Sequence, residues 1–154
     1  MSASNQLYQE VILDHNRKPR NWGALAGANH RAEGHNPLCG DHIVLTLSVG
    51  DGNTVDALGF EGEGCAICKA SASMMTTAVK GKSVHDAASM VQQFRDMATG
   101  KLDPERDPHM LGRLKVFAGV KDLPSRVKCA ILPWHTLQAA LDNDAVASTE
   151  GDGA

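Results

Sequence analysis

Apolar and polar positions follow two different periods along this chain, and the longer period is that of the α-helix. Apolar residues that recur every three to four positions share one face of a helix, so each such segment predicts a helix with a buried side. Prolines and glycines mark several of the segment ends, because proline disfavours helix in the preceding residue and glycine closes helices readily. The pattern predicts helices over residues 7–15, 84–95, 110–118 and 127–141. A stretch rich in alanine, serine and methionine, closed by Gly81, predicts a further helix over 66–79.

Between the first two helical segments the period changes to two, which is typical of β-strands. Ile43, Leu45 and Leu47 alternate with smaller or polar residues, and residues 50–53 supply a tight turn before a second alternating run over 54–60. This pattern predicts an antiparallel hairpin with one buried face, ended by the glycines at 59, 62 and 64. A weaker pattern over 29–36 indicates a third strand, a prediction that depends mainly on the resemblance described below.

Three regions depart from regular patterning. Residues 101–108 are charged and contain two prolines, which predicts an excursion between helices. Within the last helical segment, Pro133 lacks a backbone N–H and is expected to kink or restart the helix. The residues after 142 are small and acidic, so we expect a disordered acidic tail over 143–154.

Charge and composition exclude several classes of function. The 15 lysines and arginines nearly balance 18 aspartates and glutamates, so no strong field attracts nucleic acid or an anionic membrane. No run approaches the ~18 apolar residues of a membrane span, and residues 1–10 are polar, so we expect a cytoplasmic protein. In a reducing cytoplasm, the four cysteines indicate metal binding or thiol chemistry rather than disulfides. The 154 residues suffice for one domain whose folding does not depend on a metal.

Three cysteines and one aspartate form the candidate chemical site. Cys39 and Asp41 lie two residues apart between predicted strands, and Cys129 lies far downstream. Cys65 follows a glycine-rich loop at a predicted helix start, where backbone amides and the helix dipole favour the thiolate. A single free cysteine is more often an inert buried thiol than a ligand, so the prediction depends on the residues acting together.

The donor types limit the choice of metal. Three thiolates and one carboxylate suit zinc in tetrahedral coordination, but thiolates also suit iron in a cluster, so the ligands alone do not choose between them. An oxygen donor among sulfurs is the easier ligand to exchange, which favours a labile transfer site over a closed structural one. A thiolate held by zinc has its lone pairs engaged, so a sulfur acceptor must be uncovered when its donor arrives.

Cys68 allows a second interpretation of the same region. With Cys65 it forms a Cys-x-x-Cys spacing, which occurs in zinc sites and in redox dithiols at helix starts. A thioredoxin-like dithiol follows a parallel βαβ arrangement, and the predicted hairpin before Cys65 argues against that. We therefore interpret Cys68 as a spare ligand or a buried thiol beside the ligands, with dithiol redox exchange as the last alternative. The histidines, including His42 beside Asp41, show no spacing that predicts a second metal site.

Four short motifs occur in order along most of the chain. They are 36–41 (NPLCGD), 60–67 (FEGEGCAI), 70–75 (ASASMM) and 126–130 (RVKCA). Together they resemble the IscU/NifU-N family of iron–sulfur cluster assembly proteins, and specifically its SufU branch. Two further features indicate the SufU type: an insertion before the last cysteine, over 99–125, and Lys128 where IscU has a histidine.

The resemblance implies a fold, a metal site and a partner. The fold is α+β, with a small antiparallel sheet of about three strands packed with about five to six helices, in one SufU/IscU-like domain over 1–142. The implied zinc ligands are Cys39, Asp41, Cys65 and Cys129. Cys39 would accept sulfane sulfur from a SufS-type, pyridoxal-phosphate-dependent cysteine desulfurase, and downstream iron–sulfur assembly proteins would be further partners.

Besides dithiol redox exchange, which ranks last, three functions remain open from the sequence. The first is a zinc-dependent sulfurtransferase that acts together with the desulfurase. The second is a scaffold on which a transient [2Fe–2S] cluster is assembled and passed on, an alternative that Lys128 disfavours. The third is a non-catalytic zinc-binding interaction module. Arg126 matches a family position and is either a contact to a partner or an exposed cation at a loop.

Overall fold

The alternating segments form the antiparallel sheet that the sequence predicts. In the computed structural model, which describes residues 3–37, 40–142 and 146–148, β1 (His30–Asn36) pairs antiparallel with β2 (Asp41–Gly50). β2 in turn pairs antiparallel with β3 (Thr54–Glu63). The β1–β2 register sets Asn36 opposite Asp41 at one end of the sheet. The third strand, which the sequence indicated only weakly, is thereby confirmed.

Alternation along the β1–β2 hairpin separates an inner from an outer face. The inner face packs on α4 (Pro124–Leu141), and a Cβ atom placed on Gly34 would come within 3.1 Å of the Leu132 Cδ1 atom. Glycine at this position therefore lets the helix approach the sheet closely. Because side chains alternate in direction, Asn36 and Asp41 lie on this inner face. The residues that alternate with the inner positions along β1 and β2 form the outer face.

The strand β3 continues through two glycines that were expected to end it. A Cβ atom on Gly59 would fall against the carbonyl oxygen of Gly23. The segment that contains Gly23 runs along β3, where the Gly23 N–H donates to the Phe60 carbonyl at 2.7 Å. The glycines at 59 and 62 thus allow neighbouring backbone to approach the strand, and the prediction that they end the hairpin is wrong.

Five helices occur in the described part of the chain, within the predicted number. They are α1 (Ala3–Arg17), α2 (Ala66–Val79), α3 (Val84–Ala98), a 3₁₀ helix (Gly112–Asp122) and α4. The segment predicted at 110–118 therefore begins later and is 3₁₀ rather than α-helical. This helix lies within the predicted insertion, 99–125, and the Phe117 ring contacts the Phe94 ring of α3 with centroids 5.7 Å apart.

The helix α4 runs through Pro133 without the predicted restart. Trp134, which is fully buried, stacks on Phe94 with ring centroids 4.7 Å apart. Its Nε1–H donates to the Ser71 Oγ of α2 at 3.2 Å. Packing on both neighbouring helices holds this turn of α4 in place, although proline offers no N–H to the carbonyl of Cys129 one turn earlier.

A fourth strand, β4 (Val146–Ser148), pairs in parallel with β1 and completes the order β3-β2-β1-β4. These three residues belong to the tail predicted as disordered, and for them the prediction of disorder is wrong. The edge of β1 that does not face β2 offers backbone hydrogen-bonding groups, and β4 pairs with them. The composition of the tail gave no sign of this pairing. The rest of the tail, 143–145 and 149–154, lies outside the described residues.

None of the helices in the described ranges combines the length and the hydropathy needed to cross a bilayer.

Candidate metal site

Asp41 occupies a buried position at the start of β2. Its side chain has only 2% of its surface exposed, on the inner face of the hairpin. The Oδ1 atom accepts a hydrogen bond from the Cys65 backbone N–H at 2.9 Å. One carboxylate oxygen is thereby oriented by the backbone that leads into α2, and this hydrogen bond offsets part of the cost of burying a polar group.

Cys65 is the N-cap residue of α2. Its backbone is extended, with φ −70° and ψ 167°, and its Sγ atom accepts from the Cys68 backbone N–H at 3.4 Å. An N-cap side chain that accepts from this position satisfies one of the free amides at a helix start. The thiolate of Cys65 therefore lies where amide donors and the positive end of the helix dipole stabilise negative charge.

Cys129 approaches the same point from α4, where it is fully buried. The Asp41 carboxylate oxygen and the Cys65 and Cys129 sulfurs all lie within 4.8 Å of one another. Tetrahedral zinc with Zn–S bonds of about 2.3 Å separates its sulfur ligands by about 3.8 Å, so this spacing and this donor set fit zinc. Three predicted ligands are brought together by the fold. The fourth, Cys39, lies outside the described residues.

The two thiols perturb each other strongly. A hydrogen bond from the Cys129 thiol lowers the pKa of Cys65 to about 6 against the effect of burial, and the Cys68 backbone N–H acts in the same direction. The same hydrogen bond, together with burial and the Cys65 charge, raises the pKa of Cys129. Without a metal, a shared hydrogen bond therefore favours one thiolate and one thiol in this pair. Metal binding by both sulfurs has to release the proton of that thiol.

Asn36 is a component of the site that sequence reasoning missed. It is fully buried on β1, and its Nδ2 group lies 3.5 Å from the Asp41 Oδ2 atom and 3.7 Å from the Cys129 Sγ atom. Its Oδ1 atom is buried without a hydrogen-bond partner among the described residues. Asn36 follows Ala32 and Gly34 at the alternate, inward positions of β1. A polar residue at such a position was the signal in the sequence that could have pointed to Asn36.

Replacing Asn36 by Ala is expected to lower zinc affinity by about 10- to 100-fold, because groups that orient metal ligands typically contribute that much. Competition with a chromophoric zinc chelator measures the affinity. Asn29→Ala is the matched control, since the Asn29 amide bonds the Val49 backbone at the other end of the sheet. Equal affinities in the two variants would show that Asn36 does not position the ligands.

The remaining predicted site residues lie around the ligands. Cys68 is buried with 3% exposure, and its thiol does not belong to the donor group of Asp41, Cys65 and Cys129. Arg126 is exposed on α4, one turn before Cys129, and Lys128 is half-buried. Cys68 therefore contacts the site through its backbone N–H, which donates to the Cys65 sulfur. Arg126 lies at the surface, one turn of α4 away from Cys129.

Comparisons with known proteins agree on one family. The model of the NifU-like N terminal domain matches residues 7–142. The zinc-dependent sulfurtransferase SufU of Bacillus subtilis (strain 168) is 47% identical over 133 residues, 86% of this chain and 87% of that protein. The iron-sulfur cluster assembly scaffold protein IscU of Streptococcus pyogenes serotype M1 is 38% identical over 145 residues, 94% of this chain and 89% of that protein.

A solved structure gives the same result for the fold. The crystal structure of a putative iron-sulfur cluster assembly scaffold protein for the SUF system, from Fervidobacterium islandicum AW-1, is similar with a TM-score of 0.80. It is 37% identical, and the match covers 90% of this chain and 99% of that one. The α+β fold predicted from the motifs is thus confirmed by a related structure.

Proposed function

This chain belongs to the family of the NifU-like N-terminal domain, and from that premise we propose that it is a zinc-dependent sulfurtransferase in iron–sulfur cluster biogenesis. The observation that carries the proposal is the convergence of the Asp41, Cys65 and Cys129 donor atoms within 4.8 Å. The name of the Bacillus subtilis relative, at 47% identity over most of both chains, supports the same function.

Four residues are proposed to hold the zinc: Cys39, Asp41, Cys65 and Cys129. Bound zinc would keep the thiolates ionised at neutral pH and hold their positions. The protein contributes the arrangement in which Asp41 is oriented by the Cys65 N–H and lies beside the sulfurs of buried Cys129 and half-buried Cys65. The single oxygen ligand is the one that an incoming group would displace most easily.

Cys39 is the proposed sulfur acceptor, and a SufS-type cysteine desulfurase is the proposed donor. The Cys39 thiolate would attack the terminal sulfur of the persulfide on the desulfurase. A new S–S bond forms on Cys39, the S–S bond of the donor breaks, and the donor cysteine leaves as a thiolate with the electron pair. Charge and electrons balance, so the transfer needs no external oxidant or reductant.

Replacing Cys39 by Ala is expected to abolish the stimulation of a SufS-type desulfurase by this chain, because the acceptor sulfur is removed. Alanine production from cysteine measures the turnover, and peptide mass spectrometry after one turnover locates the persulfide. Cys68→Ala is the control that should retain stimulation. Full stimulation by the Cys39 variant, or a persulfide on another cysteine of the wild-type chain, would contradict the proposal.

A scaffold function is the alternative, and two comparisons favour it: the Streptococcus pyogenes relative is named as an assembly scaffold, and the Fervidobacterium islandicum structure is named as that of a scaffold protein for the SUF system. The two functions differ in metal content. About one zinc per chain without acid-labile sulfide supports the sulfurtransferase, whereas iron with matching sulfide supports the scaffold. Elemental analysis of protein purified without added metal makes the distinction. A chain that binds zinc yet leaves sulfur flux unchanged would instead be an interaction module.

A further inference from the structure

The outer face of the β1–β2 hairpin carries three side chains that the proposed function does not use. Glu33 and His35 lie two residues apart on β1, and His42 lies on β2 directly opposite His35. Side chains at these positions point to the same face of the sheet. Their exposed fractions are 31% for Glu33, 45% for His35 and 41% for His42, so ions in solution reach them.

The three side chains already stand close to the spacing of metal ligands. The Glu33 Oε2 atom lies 3.4 Å from the His42 Nε2 atom and 3.9 Å from the His35 Nε2 atom. Tetrahedral zinc with Zn–N and Zn–O bonds of about 2.0–2.1 Å separates its ligands by about 3.4 Å. The two imidazole rings stack with centroids 4.6 Å apart and planes 19° apart, which holds them side by side, and one ring has to turn for both nitrogens to bind one ion.

Neighbouring charges favour a cation at this position. The Arg31 Nη2 group donates to the other Glu33 oxygen, Oε1, at 2.7 Å, which orients Oε2 toward the two imidazoles. A group that holds the second oxygen of a ligating carboxylate is a common feature of metal sites. Glu63 on β3 lies opposite His42 in the register and adds a carboxylate to the same face. Arg31 and Glu33 balance each other, which leaves Glu63 as the excess charge.

We propose that Glu33, His35 and His42 bind a second divalent transition-metal ion of the zinc, nickel and iron(II) class. Two neutral imidazoles and a carboxylate are donors that such ions prefer, whereas magnesium and calcium prefer all-oxygen sites. The site shares no ligand with Asp41, Cys65 and Cys129, which lie on or behind the inner face. The proposal is therefore independent of the sulfurtransferase function.

An ion at this site would join β1 and β2 across the end of the hairpin. His42 directly follows Asp41, and His35 directly precedes Asn36, so both strands are held next to the thiolate site. The connection between the strands contains Cys39. Occupancy of the outer site would thus stabilise the hairpin from which two predicted ligands of the inner site come.

Nickel titration of the untagged, zinc-loaded chain tests the proposal. With the thiolate site already filled, isothermal titration calorimetry at neutral pH is expected to show one further nickel ion per chain. Nuclear magnetic resonance should show the ring signals of His35 and His42 broadening before those of the other five of the seven histidines. A chain that takes up no nickel, or one that broadens other histidines first, would overturn the proposal.

Substitutions assign the ion to these residues. The double variant His35→Ala/His42→Ala is expected to lose nickel binding by more than about 100-fold, and Glu33→Gln, which keeps the shape of the side chain, by about tenfold or more. His85→Ala, at the start of α3, is the matched control and should bind nickel as the wild type does. Zinc content in all variants verifies that the inner site is intact. Unchanged nickel affinity in the double variant would refute the assignment.

Discussion

Substituting Ser for Cys129 is expected to lower zinc affinity by more than about 100-fold, since even the loss of a group that only orients a ligand typically lowers it 10- to 100-fold. Serine keeps the size of the side chain but replaces the soft thiolate by a hydroxyl that stays protonated at neutral pH. Cys129 is fully buried, and its sulfur lies within 4.8 Å of the Cys65 sulfur and the Asp41 carboxylate. Loss of this donor therefore leaves the buried carboxylate and thiolate without their common ion.

Cys68→Ser provides the matched control for this prediction. Cys68 is also a buried cysteine on a helix, but its thiol lies outside the donor group. The contact to Cys65 comes from the backbone N–H of Cys68, which serine retains. Zinc content after purification and competition with a chelator measure the affinity of both variants. If the Cys68 variant loses zinc and the Cys129 variant keeps it, the assignment of ligands is wrong.

The Cys129 variant also separates metal binding from sulfur acceptance. If zinc holds the site in the form that accepts sulfur, loss of zinc should remove most of the stimulation of the desulfurase even though Cys39 is present. Desulfurase turnover with the zinc-free variant and with wild type treated with chelator should then agree. Full stimulation in both samples would show that the transfer does not depend on the metal.

Gly62→Ala is expected to destabilise the metal-free chain by about 2–6 kcal/mol, the largest effect on stability among these substitutions. Gly62 has φ +146°, a conformation that costs an L-residue about 1–3 kcal/mol. A Cβ atom there would fall against the carbonyl oxygen of His42 and lie 2.9 Å from the Ile43 Cα atom. Both neighbours are backbone atoms of β2, so relief requires a strand shift, at a further cost of about 1–3 kcal/mol.

Gly119→Ala is the control for this effect. Gly119 lies in the 3₁₀ helix, and a Cβ atom there would have no neighbour within 4 Å. The free energy of unfolding of the Gly119→Ala variant should differ from that of the wild type by less than about 1 kcal/mol, the range of a glycine-to-alanine change in a helix. Denaturant unfolding of both variants, with zinc removed, measures the free energy of unfolding. Equal stabilities would show that β2 and β3 do not constrain position 62 as the structure indicates.

The shift of β2 in the Gly62 variant should also reach the metal site. Asp41 and His42 are adjacent on β2, so moving the His42 backbone moves the Asp41 carboxylate. Zinc affinity should therefore fall together with stability in Gly62→Ala and stay unchanged in Gly119→Ala. This coupling distinguishes a local strand shift from a general loss of stability.

Local pattern determined most of the secondary structure of this protein. Alternation predicted β2 and β3, because its period is set by backbone geometry and a single buried face. Helix-favouring residues before Gly81 predicted α2 at its observed bounds. The 3₁₀ helix and the continuity of α4 through Pro133 were not predicted. There, packing of Phe117 and Trp134 against Phe94 outweighs the local preferences of glycine and proline.

The sequence by itself determined the family, the fold class and the proposed ligands, because four ordered motifs are specific and sulfur and carboxylate donors limit the metal. Only the tertiary structure decided which side chains meet. The β1–β2 register brings Asn36 to Asp41 on one face and Glu33, His35 and His42 together on the other. Register depends on pairing between segments, and spacing along a single strand carries no information about the partner opposite.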